Sequence, residues 1–153
     1  MASSAQLTLR VITPDAIVLD EPVDSVRLPG VDGSFGVLRG HAPMVAAIAA
    51  GVLHYRQGGV EKILFVSDGF CEVGKNVVRV VSEAGERPSD IDEERAKEAE
   101  KRARERMTRF REQRAQAMTG PEAIDFLRAE DALRRSLKRQ ECVRTAAGER
   151  AHS

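Results

Sequence analysis

The sequence predicts an α+β chain: a mostly β domain over residues 1–85, a linker at 86–89, an antiparallel two-helix hairpin over 90–144 and a frayed tail over 145–153. Two observations carry that division. Up to Gly85 the chain holds 7 basic and 9 acidic residues, against 17 and 15 beyond it, so the shorter part carries twice the charge. Glycine is concentrated before Gly85 and β-branched residues thin out after it, which moves the apolar period from 2 to 3.6. With 153 residues the chain supplies one sizeable core and an appendage, since a domain usually occupies roughly 100–150 residues.

Leu7, Leu9 and Val11 alternate with Thr8, Arg10 and Ile12, a half-buried strand stopped at Pro14-Asp15. Short strands follow at 16–19 and 23–28, the second closed by Pro29-Gly30. Residues 44–50 favour helix through their alanines, but Pro43 and Gly51 leave fewer positions than a typical helix uses, so the segment is predicted extended. Strands at 53–56 and 61–67 flank Gln57-Gly58-Gly59-Val60, and strands at 70–73 and 77–82 flank Gly74-Lys75-Asn76. Both are hairpin signals. Many short strands with regular turns predict an antiparallel sandwich or barrel.

After the linker Ala84-Gly85-Glu86-Arg87-Pro88, Ser89 with Asp92, or Asp90 with Glu93, offers a capping pair, and acidic residues crowd a first helical turn. Ala96, Ala99, Ala103, Met107 and Phe110 recur at spacings of three and four. That narrow stripe of mostly small side chains suits close packing against another helix. Met118-Thr119-Gly120-Pro121 breaks the pattern, and Thr119 with Glu122 caps a second helix running to about Val143. Phe126, Ala129, Leu133 and Leu137 form its apolar face.

Basic and acidic residues balance at 24 each, so no global field draws the protein to nucleic acid or anionic lipid. Six aromatics and no tryptophan leave few stacking platforms, which argues against a nucleic-acid adaptor. Basic side chains from Lys101 to Arg114 are interleaved with Glu98, Glu100, Glu105 and Glu112, the pattern of a solvated, salt-bridged face. Cys71 and Cys142 lie in different segments without metal-ligand spacing and are expected to be free thiols. The start lacks the features of a leader, and the longest stretch free of charged residues, 40–55, is too short to span a membrane. Ser67 and Asp68 with His54 or His41 suggest a hydrolytic triad on paper. No Gly-x-Ser-x-Gly elbow accompanies them, and the chain is not expected to be an enzyme.

Gly33-Ser34-Phe35-Gly36-Val37-Leu38-Arg39-Gly40-His41-Ala42-Pro43 is the most distinctive segment. Its glycines and proline imply a tight surface loop with positive φ angles that holds Arg39 and His41 in place, or else a turn that merely closes the sandwich. This segment, with Val11-Ile12-Thr13-Pro14-Asp15, Val66-Ser67-Asp68-Gly69-Phe70-Cys71-Glu72-Val73, Ile91-Asp92-Glu93-Glu94-Arg95-Ala96 and Asp125-Phe126-Leu127-Arg128-Ala129-Glu130, resembles the family of F-type ATP synthase epsilon subunits, called delta in mitochondria. The blocks occur in order across roughly residues 6–143.

The resemblance implies a ten-stranded β-sandwich joined to the two-helix arm, in a non-catalytic central-stalk subunit of the proton-translocating synthase. Its implied partners are the gamma subunit and the c-subunit ring, met through Ser34, Arg39, His41, Ala42 and Pro43, and the catalytic beta and alpha subunits, met through an extended arm. It further implies a peripheral place on the cytoplasmic face of the bacterial inner membrane, with neither nucleic-acid binding nor membrane insertion. No cofactor is required, but regulatory ATP is implied by Ile91, Asp92, Arg95 and Ala96, joined by Arg135 and Arg139 from the second helix. Asp92, Arg95 and Ile91 occupy neighbouring faces of one helix, and Arg135 and Arg139 stand four apart, as Asp131 and Arg135 also do. Family members often carry an acidic residue where Ser34 stands, so Arg39, His41 and hydrogen bonds are left as contacts here. Asp68 replaces a common glycine; Asp tolerates left-handed backbone, and the turn is expected to survive.

Overall fold

A computed structural model of the chain describes residues 5–112 and 120–151. Ten strands come first: β1 (Leu7–Ile12), β2 (Ile17–Val23), β3 (Ser25–Gly30), β4 (Gly33–Leu38), β5 (Met44–Ile48), β6 (Gly51–Gln57), β7 (Val60–Val66), β8 (Gly69–Gly74), β9 (Val77–Ser82) and β10 (Gly85–Glu86). A 3-10 turn at Pro88–Asp90 leads to α1 (Glu93–Glu112) and α2 (Pro121–Ala151). No helix among the described residues is long and apolar enough to cross a membrane.

The strands pair in the order β10-β7-β6-β3-β5-β8-β9-β1-β2, with β4 attached to β3. All pairings are antiparallel except that of β1 with β9. Because β3 and β5 meet only at Gly30 and Ile48, the sheet folds over there into a sandwich. One core fills it, with Leu7, Leu9, Val11, Leu28, Leu53, Leu64, Val78 and Val80 almost wholly excluded from water. The α+β class, ten strands and terminal helix pair match the expectation.

Residues 44–48 are extended although rich in alanine. They pair along their whole length with β8, from Met44–Val73 to Ile48–Gly69, and this tertiary context overrides local propensity. The glycine-rich segment is not one loop. Phe35 and Val37 alternate with smaller residues, Val37 enters the core, and the segment forms β4, joined to β3 by a turn at Val31 and Asp32. Only Gly33 and Gly40 within it have positive φ.

Asp68 does not adopt a left-handed conformation. Its carboxylate accepts the Ala50 N–H at 3.3 Å, and the turn depends instead on Gly69, where a Cβ would lie 1.9 Å from the Val81 carbonyl oxygen. Gly85 and Glu86, assigned in part to the linker, pair with Val66 and Phe65 and extend the sandwich. The cap of α1 is Asp92, whose Oδ1 accepts the Arg95 N–H at 3.0 Å; Ser89 and Asp90 are taken up by the 3-10 turn that Pro88 opens. The expected Thr119 cap lies outside the described residues. Helix α2 continues past Val143 to Ala151, so the tail from Thr145 is helical: Ala146 packs on the sandwich and Thr145 Oγ1 donates to the Glu141 carbonyl at 2.9 Å.

Strand β7 is apolar on both faces. Leu64 and Val66 join the inner core, while Ile63 and Phe65 point outward to a second cluster with Ile91 and Cys142, against which Val143 and Ala146 also pack. Helix α2 thereby lies on the sandwich with α1 against it. At the far end of the hairpin Phe110 and Phe126 meet edge to face at 6.2 Å. Between the helices, Glu100 accepts from Gln140 Nε2 at 2.7 Å.

Candidate functional site

Where α1 begins, β10 ends and α2 passes over the sandwich, a cavity of about 380 Å³ opens, walled by Glu86, Asp92, Arg95, Ala96, Arg102 and Arg139. Of the six residues implied in nucleotide binding, four line this cavity and two do not. Asp92, Arg95 and Ala96 line the cavity because capping by Asp92 fixes the first turn of α1 beside it. Arg139 reaches it from α2. Ile91 is instead buried in the cluster beneath α2, supporting the wall from behind. Arg135 does not line the cavity, so the two α2 guanidinium groups do not converge; Asp131 pairs with Arg134 at 3.3 Å.

Arg139 is already engaged. Its Nε and Nη2 donate to Glu86 Oε1 at 2.9 and 2.7 Å, and its guanidinium lies 4.6 Å from the centre of the Phe65 ring. Arg95 is exposed, and Arg102 has a long pairing of 3.8 Å with Glu98. Three cationic groups and the carboxylates of Glu86, Asp90 and Asp92 face the cavity. An anion entering it has arginines to meet but must compete with Glu86 for Arg139. The small Ala96, almost fully buried, leaves room against the helix. Glu86, Arg102 and Phe65 were missed by sequence reasoning. A readable signal for Phe65 was the unbroken apolar run Ile63-Leu64-Phe65-Val66, which marks a strand covered on both faces.

The second group of implied residues is split by β4. Ser34 is exposed near the β3–β4 turn, opposite Pro29, whereas Arg39, His41, Ala42 and Pro43 follow the other end of the strand, roughly 17 Å away along it. In the 39–43 loop the His41 N–H donates to the Leu38 carbonyl at 3.1 Å and Gly40 N–H to Asn76 Oδ1 at 2.7 Å. His41 Nδ1 lies 2.7 Å from the Ala42 carbonyl, which can only accept, so Nδ1 is the donor in this contact.

The sandwich face opposite α2 carries a row of apolar side chains that follows the strand register: Ala47, Phe70, Val81, Ile12 and Ile17 are successive neighbours across β5, β8, β9, β1 and β2. Phe70 and Ile17 are 44% and 62% exposed, more than solvation of a monomer favours for a contiguous row. Beside it lies a charged row, with Arg79–Glu72 at 3.8 Å and Arg10–Asp20 at 3.2 Å.

The hydrolytic triad does not form. Ser67 is wholly buried, its Oγ has no hydrogen-bond partner, and its backbone is bonded to Ser82; His54 faces Glu61 at 3.5 Å. Both cysteines are free and buried. Burial pushes the Cys71 thiol up to about 11, and burial together with Glu86 pushes Cys142 up to about 12, far from the reactive thiolate range.

Residues 6–88 match the family described as ATP synthase, Delta/Epsilon chain, beta-sandwich domain. The ATP synthase epsilon chain of Nitratidesulfovibrio vulgaris (strain DP4) is 43% identical over 133 residues, spanning 87% of this chain and 92% of that relative. That of Symbiobacterium thermophilum is 46% identical over 136 residues, 88% and 91% of the respective lengths. Among solved structures, a chain in the Euglena gracilis mitochondrial ATP synthase, described as OSCP/F1/c-ring in rotational state 1, superposes with a TM-score of 0.70 at 26% identity, covering 94% of this chain and 82% of that one.

Proposed function

The chain belongs to the ATP synthase delta/epsilon chain family, and on that premise we propose that it is a central-stalk subunit that couples c-ring rotation to gamma and brakes ATP hydrolysis through its helices. It contributes no catalytic group. Its place is the periphery of the membrane-bound complex, on the cytoplasmic side in a bacterium.

The coupling half of the reading is supported by the exposed apolar row from Ala47 to Ile17 and the charged row beside it, a surface with the mixture of apolar centre and polar margin that protein interfaces use. Gamma is the occupant proposed there. Loop 39–43 and Ser34 would meet rotor subunits from the two ends of β4.

The regulatory half is carried by one observation: the arm is docked on the sandwich, and at the joint Arg95 of α1 and Arg139 of α2 face one cavity. Docked, the arm leaves hydrolysis unhindered. Extended, its basic side chains engage the acidic surfaces of the catalytic beta and alpha subunits and block it. The arginines match a phosphate chain in charge, so ATP is the proposed regulatory ligand, one that favours docking by bridging Arg95 of α1 and Arg139 of α2 at the joint while Arg139 stays over Phe65 of the sandwich.

Calorimetry of the full chain with ATP tests that ligand. Binding is expected, weakened about tenfold or more in Arg95→Ala, the loss of one charge-assisted phosphate contact. Undiminished binding in that variant removes Arg95 from the site, and no binding by the unaltered chain removes ATP from the account.

A further inference from the structure

Loop 39–43 joins β4 to β5 without regular pairing, and docking through an unanchored loop loses affinity to ordering. Three contacts remove its freedom. His41 N–H to the Leu38 carbonyl and His41 Nδ1 to the Ala42 carbonyl are both local to the segment. Only the third, Gly40 N–H to Asn76 Oδ1 at 2.7 Å, ties it to another part of the sandwich.

Asn76 is itself fixed. It occupies the two-residue turn between β8 and β9 with φ of 59°, next to Lys75 at 50°, and its carbonyl accepts the Thr8 N–H at 2.8 Å, which binds the turn to β1. A left-handed position of this kind suits glycine at least as well as asparagine. The turn therefore admits asparagine without requiring it. What the side chain adds is the acceptor for Gly40.

We propose that Asn76 is the positioning residue of the rotor-facing loop, holding Arg39 and His41 in the orientation in which they dock. The inference rests on the reading of loop 39–43 as a rotor contact. Asn76 itself touches no partner in it; it acts through Gly40, across a chain separation of 36 residues.

The test titrates the full chain onto a gamma and c-ring assembly stripped of this subunit, with thermal midpoints and Gly40 amide exchange measured on each isolated chain. Asn76→Gly keeps the turn and removes the acceptor; Asn76→Asp keeps an acceptor of the same reach. The glycine variant is expected to lower its thermal midpoint by no more than a few degrees, speed Gly40 exchange and weaken binding about three- to tenfold, the cost of ordering the freed loop on docking, with the aspartate variant restoring both exchange and binding. Equal weakening in the two variants overturns the role of the acceptor. If Arg39→Ala with His41→Ala weakens docking while Asn76→Gly does not, the positioning role falls and the loop contact stands. If the double variant docks normally, the loop contact falls and the positioning role with it.

Discussion

Arg139 holds the arm to the sandwich through two unlike contacts, the Glu86 carboxylate and the face of Phe65. With both charged groups about one quarter exposed, at 27%, the ion pair contributes only about 1 kcal/mol after solvent screening, and the ring adds a similar amount. That is enough to bias docking and too little to lock it. Gly69 illustrates the opposite kind of residue. A Cβ there would sit 1.9 Å from the Val81 carbonyl oxygen and 2.9 Å from the Ser82 Cα, both backbone atoms of the paired strand. Gly69→Ala is expected to destabilise the sandwich by about 3 kcal/mol or more, read from the midpoint of urea unfolding; a shift under about 0.5 kcal/mol would show that β9 moves freely. The sequence marks Gly69 as part of a turn, but the reason for it comes from β9, whose approach is set by pairing that no local pattern displays. Asp92 was legible as a polar residue at a helix start; that it, rather than Ser89 or Asp90, is the cap depends on the 3-10 turn begun at Pro88.

The two helices are held unequally. Helix α1 buries only Ala96 and Ala103, small side chains that contribute little apolar area, while α2 places Cys142, Val143 and Ala146 against β7. The alanine stripe of α1 was legible because its spacing is regular. The sheet-facing side of α2 was not, because Arg139 interrupts the apolar pattern that Cys142, Val143 and Ala146 carry, and Arg139 is half-buried through its partners instead of by its own hydrophobicity. Between the helices, the Gln140 hydrogen bond and Arg104 hold the Glu100 carboxyl below its ordinary value near 4.5. The folded pair is thus stabilised above that value, and the stabilisation disappears as pH falls through the lowered one. The hairpin is expected to loosen at acidic pH, followed through the NMR signals of Phe110 and Phe126. Glu100→Gln should reduce the pH dependence; an unchanged acid transition would exclude Glu100 as its source.

Over the whole molecule, the shift in charge and periodicity at Gly85 made the division into sandwich and arm legible, and the turns made most strands so. The parallel pairing of β1 with β9 and the joint between Glu86 and Arg139, 53 residues apart, were not, because they arise only when distant segments meet. That joint gives a direct reporter of docking. Cys142 of α2 is wholly buried against the sandwich with its thiol pushed up to about 12, so alkylation should require undocking, while Cys71 stays protected inside the sandwich. ATP is expected to slow Cys142 modification; mass spectrometry showing equal rates with and without ATP would separate the ligand from the arm's motion. The inner core contains no helical residue, so the sandwich keeps its own support when the arm is gone. The most direct measurement of the proposed brake is therefore ATP hydrolysis by the assembled complex carrying this chain without residues 90–153. Faster hydrolysis with assembly intact is the predicted result, and an unchanged rate in an intact complex would contradict it.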